Sequence, residues 1–224
     1  MSELVVIQPG MTGCVGKSTN SDVSKRILSD LAESCVGGLA SSGGITVSVD
    51  GTIAEYAVLA PEYNATTQDE LVLKMLRKHI DDLLSPDSAY LSLESIREVI
   101  ELINYSDHSF AAGTKDTLWL RRDGKTLHVI DLRQTLGQVF FFPESKHWQQ
   151  IYAKYAEFVP DGQKIIEFPD NQVWKLEYTG GEKYSGFSVK KYSINKTKYY
   201  DHPVGGYITS GASSQKAEVV AASV

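Results

Sequence analysis

Hydrophobic positions mark out the elements in order along the chain. Residues 4–7 form a short apolar run closed by Pro9-Gly10, the pattern of a buried strand. Residues 8–20 carry no periodicity and read as a loop. Val23, Ile27 and Leu31 then recur every four residues, and Leu28 and Cys35 widen the stripe. That spacing predicts an amphipathic helix, capped by Ser18 or Asn20 and closed by Gly37-Gly38. Residues 41–44 read as a flexible joint. Ile45, Val47 and Val49 alternate with polar residues up to Asp50-Gly51, which predicts a hairpin whose return strand covers residues 53–59 and stops at Pro61.

Residues 67–84 place Val72, Met75, Leu76 and Leu83 on one helical stripe, with His79 beside it and Asp69 and Glu70 in the first turn, where the helix dipole favours them. Residues 92–104 repeat the pattern with Leu93, Ile96, Val99, Ile100 and Ile103 behind a capping Ser92. Residues 117–132 predict a second hairpin turning at Asp123-Gly124, with Leu120 opposite Leu127, Trp119 opposite His128 and Leu118 opposite Val129. A strand over 139–142, a helix over 144–158 and a β-meander over 164–168, 172–178 and 183–194 complete the set. The sum predicts an α+β fold: antiparallel hairpins and a C-terminal meander with three to four segregated helices. Residues 1–204 read as one domain with a sub-boundary near 110–116. Residues 205–224, small and weakly patterned, read as a C-terminal arm or tail.

Composition fits that picture and excludes disorder and collagen. The 224 residues are 42% hydrophobic and 10% aromatic. Charge is uneven: residues 1–115 hold 8 basic and 16 acidic side chains, and residues 116–224 hold 14 and 12. The net charge of −6 argues against broad binding to a nucleic-acid backbone. Two cysteines cannot build a disulfide scaffold, which points to a reducing, cytoplasmic compartment. No window reaches the ~20 apolar residues of a membrane span, and the first residues lack the basic start of an export signal.

The sharpest local feature lies within residues 10–19, Gly-Met-Thr-Gly-Cys-Val-Gly-Lys-Ser-Thr. It follows a hydrophobic strand, opens a helix, and resembles the P-loop of nucleotide-binding proteins over about the first 35 residues. The resemblance implies that Gly13 and Gly16 help the backbone cradle phosphates, that Lys17 reaches the terminal phosphates, and that Ser18 ligates magnesium. Asp131 would then stand near the metal. Met11 occupies the position where the family needs its first glycine.

Other candidates are less specific. None of His79, His108, His128, His147 and His202 has metal-ligand spacing, so no metal and no cofactor is expected. His128 is explained by Trp119 across the strand, and His147 and His202 read as surface residues. Cys14, read as lying just before a helix N-terminus, could be a nucleophile with His108 and Asp107 as its base. Lys183, Tyr184, Lys190, Lys191, Tyr192, Lys196 and Lys198 form a basic, aromatic stretch suited to single-stranded nucleic acid or to a partner subunit. The same residues also fit an edge strand protected by lysines.

With no convergent catalytic set in view, the expectation is a non-enzymatic structural or interaction subunit of a larger assembly, a viral or phage particle component among the options. It would be held by other protein subunits in a homo- or hetero-oligomer. The alternatives are a nucleotide-binding protein using residues 10–19 and a nucleic-acid-binding module using residues 183–200.

Overall fold

Alternating apolar positions assemble two antiparallel sheets. The computed structural model describes residues 4–81, 90–103, 107–170, 172–178 and 187–194. The first sheet contains β1 (Val5–Gln8), β2 (Thr12–Val15), β7 (His128–Leu132), β8 (Gln138–Phe142) and β9 (Ile166–Glu167), in the order β1-β2-β8-β7-β9. The second contains β3 (Ala40–Ser42), β4 (Ile45–Thr52), β5 (Asp107–Gly113), β6 (Thr117–Asp123), β10 (Gln172–Tyr178) and β11 (Phe187–Ser193), in the order β11-β10-β6-β5-β4-β3. Six α-helices accompany them among the described residues: α1 (Ser21–Glu33), α2 (Tyr56–Tyr63), α3 (Gln68–Asp81), α4 (Leu93–Leu102), α5 (Arg133–Leu136) and α6 (Ser145–Tyr155). The class is α+β, as the periodicity predicts, with more helices than expected.

Strand alternation explains the layering, because successive side chains leave a strand on opposite faces. Val15, Val129, Val139 and Phe141 of the first sheet meet Ala111, Leu118, Leu120 and Leu176 of the second in a core between the sheets. Their neighbours Cys14, Ile130, Phe140 and Phe142 face the other way, onto α1 and α6. Val47, Val49, Phe110 and Trp119 turn outward from the second sheet onto α3 and α4. The result is four layers, helices–sheet–sheet–helices. No helix among the described residues is long and apolar enough to cross a membrane.

Several local expectations are corrected. Residues 8–20 are not a loop: β2 folds back on β1, with Val5 opposite Val15 and Gln8 opposite Thr12. Asp50-Gly51 makes no hairpin. β4 runs through it and pairs Gly51 with His108. The glycine is needed for close approach, since a Cβ there would run into the Asp107 carbonyl. The turn is Gly43-Gly44, joining Ser42 to Ile45. Residues 56–63, inside the expected return strand and beyond it, are α2 with Pro61 in it.

The expected hairpin over 117–132 is also absent. β6 pairs with β5 and β10, while β7 crosses to the other sheet and pairs with β8 and β9. Alternation could not separate these outcomes, because Leu118, Leu120, Leu127 and Val129 enter the same inter-sheet core either way. Arg122 fixes the crossing through Glu167 (2.7 Å) and Asp170 (3.1 Å). The meander is split too: β9 joins the first sheet, and β10 and β11 pair in the second. Residues 110–116 fall in the β5–β6 hairpin. Residues 205–224, the expected arm, lie outside the described residues.

Candidate active site

Two helices bring the site together. Asn20 caps α1, its side chain accepting from the Val23 amide at 3.3 Å. From there α1 presents Asp30 and, just past its end, Ser34 and Cys35. α6 runs the opposite way past them. Asp30 meets Lys154 (3.0 Å) and the Tyr155 hydroxyl (2.9 Å), Ser34 donates to Gln150 (3.3 Å), and Cys35 Sγ meets His147 Nδ1 at 3.4 Å. His147, Gln150 and Lys154 stand three and four residues apart, so they share one stripe of α6. The adjoining stripe, Trp148, Ile151 and Tyr155, packs on the first sheet and sets which side of the helix faces α1. The thiol–imidazole contact is therefore the last rung of an antiparallel helix pair.

The Cys35 loop is held from below as well. Gly10 and Gly37 lie against each other: a Cβ on Gly10 would be 2.6 Å from Cys35 Cβ, and one on Gly37 would be 2.6 Å from Gly10 Cα. Met11 takes the left-handed conformation at φ 57° in the β1–β2 turn. That is uncommon for a side-chain-bearing residue. Its amide donates to the Ser48 hydroxyl (3.0 Å), which donates to the Gly38 carbonyl (3.0 Å). Asp69 accepts from the Val49 amide at 2.7 Å and is buried behind the loop.

Charged groups surround the pair. Burial pushes the Cys35 thiol up to about 11, and the carboxylates of Asp50 and Glu144 push the same way, against Lys146. Burial holds His147 below the ordinary histidine range, although Glu144 and Asp50 favour its charged form. Burial also raises Asp50, opposed by Lys125. Glu144 is held low by Lys146, 2.6 Å away. At neutral pH the pair is a thiol beside a neutral imidazole. The thiol donates to the Leu31 carbonyl at 3.3 Å, with Nδ1 as the other acceptor within reach. Two carboxylates stand ready to stabilise an imidazolium once the proton moves.

The residues singled out from sequence lie elsewhere. Gly13 is inside β2, its amide and carbonyl belonging to a paired strand, and the Gly16 amide donates to the Leu4 carbonyl at 2.7 Å. Those groups are spent on the fold and cradle no phosphate, and Lys17 is exposed. Ser18 bonds to Ser24 at 2.7 Å, and Asp131 pairs with Arg133 at 2.6 Å. The nucleotide-binding reading is corrected on these grounds.

Cys14 faces α1 from inside the first sheet, wholly buried and pushed up to about 12 by desolvation. His108 is buried on the second sheet, stacked on Phe110, so the two do not meet. His128 stacks on Phe142 at 6.0 Å, not on Trp119. His147 is 4% exposed, not a surface residue.

Of the basic stretch, Lys190, Lys191 and Tyr192 lie on β11. Lys191 stands 4.4 Å over the Trp174 ring, and Tyr192 stacks on Trp119. Lys183, Tyr184, Lys196, Lys198 and His202 fall outside the described residues. Sequence reasoning missed the Cys35–His147 pair because 112 residues separate its members and no spacing rule links them. No group of three His, Cys, Asp or Glu residues is arranged to hold a metal ion among the described residues.

No family model matches the chain, and no curated protein matches its sequence. Solved structures overlap it partially. One is the glutamine phosphoribosylpyrophosphate amidotransferase from B. subtilis complexed with ADP and GMP, at 10% identity and a TM-score of 0.47, over 72% of this chain and 32% of that one. Another is a glutamine aminotransferase class-II domain protein from Silicibacter pomeroyi, at 8% identity and a TM-score of 0.44, over 72% of each. A third is a predicted glutamine amidotransferase from Pseudomonas aeruginosa PA01, at 13% identity and a TM-score of 0.37, over 68% and 65%. The chain spans about a third of the length of the first of these. The expectation of a non-enzymatic assembly subunit is corrected. That reading required the absence of converging reactive groups, and the corner around Cys35 brings a thiol and an imidazole together.

Proposed function

We propose that the chain is a thiol-dependent acyl-transfer or hydrolytic enzyme, with Cys35 as nucleophile and His147 as general base. The observation that carries this is the 3.4 Å approach of Cys35 Sγ to His147 Nδ1 inside a corner bearing Asp50 and Glu144. A thiol held near 11 is almost wholly protonated at neutral pH, so its proton must leave as sulfur attacks. Nδ1 is placed to accept it. Sulfur bonds to the substrate carbonyl carbon and the imidazole becomes imidazolium. Collapse of the tetrahedral adduct expels the amine or alcohol, which takes the proton from Nδ1. Water then attacks the thioester, gives its proton to Nδ1, and frees acid and thiol. Asp50 and Glu144 favour the imidazolium that forms between these steps.

The test is a pre-steady-state burst with p-nitrophenyl acetate, followed by mass spectrometry of the intact chain. One acetyl group on Cys35 and none on Cys14 is expected. Glutamine, named in the titles of the compared structures, is assayed beside it for ammonia release. An absent burst, or one that survives Cys35→Ala, overturns the proposal.

A further inference from the structure

Attack on a carbonyl carbon moves an electron pair onto its oxygen, and a donor already in place lowers the barrier most. The surroundings of Cys35 limit where that donor can be. The last turn of α1 brings the Leu31 carbonyl to 3.3 Å from Sγ, and a carbonyl oxygen repels a developing negative charge. His147 Nδ1, at 3.4 Å, is engaged in taking the thiol proton. The remaining neighbour along the chain is the loop over residues 36–39, which leads from α1 to β3.

The α1 end spends its amides as far as Cys35, whose N–H donates to the Ala32 carbonyl at 3.0 Å. Val36 carries the next amide. Among the described residues, no backbone or side-chain acceptor takes it. Bond lengths alone keep the Val36 nitrogen within about 5 Å of Cys35 Sγ, whatever the rotamer. Val36 is 96% exposed, so a substrate arriving from solvent reaches this part of the loop. The loop is also held in place. A Cβ on Gly10 would stand 2.6 Å from Cys35 Cβ and 3.3 Å from the Val36 nitrogen, so Gly10 packs directly against both. Two residues on, the Gly38 carbonyl accepts from the Ser48 hydroxyl at 3.0 Å. That far end is unsuited to an anion, because the Asp69 carboxylate lies against Gly38.

We infer that the main-chain N–H of Val36 is the oxyanion donor of the Cys35 reaction, which rests on Cys35 being the nucleophile. As sulfur bonds to the carbonyl carbon, the thiol proton passes to His147 Nδ1 and the π pair moves onto oxygen. The Val36 N–H donates a hydrogen bond to that oxygen and keeps its own proton. When the adduct collapses, the pair returns to the carbonyl, the bond to the leaving group breaks, and that group takes the proton from Nδ1. The amide of the residue after the nucleophile plays the same part in the strand-to-helix turns of serine hydrolases. The Val36 side chain takes no part.

The test compares two reactions of Cys35 in the full chain, acetylation by p-nitrophenyl acetate and alkylation by iodoacetamide, each mapped by mass spectrometry. Only acetylation builds charge on a carbonyl oxygen. Val36→Pro removes the N–H and is expected to slow acetylation about 100-fold while alkylation stays within about twofold of wild type. Where Val36→Pro fails to fold, 2-hydroxyisovalerate placed at position 36 replaces the amide by an ester, keeps the side chain and removes only the N–H. The same split between the two reactions is expected there. An equal fall in both rates, or no fall in acetylation, overturns the inference and leaves Cys35 as nucleophile. No acetylation of Cys35 in the wild type overturns the nucleophile reading itself, and the inference with it.

Discussion

The interior of β2 and the loop after α1 each carry one cysteine, and the two places treat the same functional group in opposite ways. Cys14 is sealed between the first sheet and α1, with the Gln138 amide 3.3 Å from its sulfur. Cys35 is half-buried beside exposed Val36 and faces an imidazole. Burial raises both thiols, to about 12 and about 11. The pKa therefore does not distinguish them. What does is access and a base within reach, and both come from neighbours remote in the chain. The glycine-rich context that drew attention to Cys14 belongs to a hairpin, and the strand takes the thiol inward.

The largest expected effect follows from removing the reactive member. Cys35→Ala should abolish the acetyl burst while leaving the melting temperature within a few degrees. Cys14→Ala should keep the burst and cost about 1 kcal/mol in urea unfolding. A reversal of that pattern breaks the comparison. Next comes the base. His147→Ala should slow acetylation by about 10²- to 10⁴-fold in stopped-flow traces. The fall in rate at low pH should lie below the usual histidine range, because burial holds His147 down.

Alkaline stability tests the burial of Cys14 itself. A free thiol titrates near ~8.5. Because Cys14 is held at about 12 in the folded chain, the unfolded chain loses its proton first. Stability is thus intact below about pH 8 and declines as pH rises toward the folded value. Cys14→Ala should flatten that decline between about pH 9 and 11 in denaturation scans. The smallest effect is a sharpening one. Asp50 raises the Cys35 thiol, so Asp50→Asn should lower it and speed alkylation by iodoacetamide about two- to threefold at pH 8. An unchanged rate would mean that the carboxylate does not reach the sulfur.

Local periodicity carried the helices well. The stripes of α1, α3, α4 and α6 and the caps at Asn20 and Ser92 follow from residues three and four apart, and the structure keeps them. Strands fared worse in pairing than in position. β1, β6, β8 and β10 lie where alternation places them, yet the partner of β6 was unreadable. Two hairpin arms and two stacked sheets bury Leu118, Leu120, Leu127 and Val129 equally well. Dipeptides misled in the same way. Asp50-Gly51 fits a turn, but β5 offers β4 a full ladder that runs straight through it.

The candidate site was barely legible. Cys35 stood on a helical stripe and His147 next to a tryptophan, and each alone is an ordinary residue. The sequence by itself determined the α+β class, the amphipathic helices and the acidic first half, because these depend on contacts a few residues apart or on composition. The tertiary structure decided that α6 runs antiparallel to α1, which puts position 147 on position 35. It also decided that Gly10 and Gly37 touch, and that β3 ends the second sheet among the described residues. Those outcomes rest on packing between segments far apart in the chain, where many pairings satisfy the same hydrophobic pattern and only the assembled core selects one.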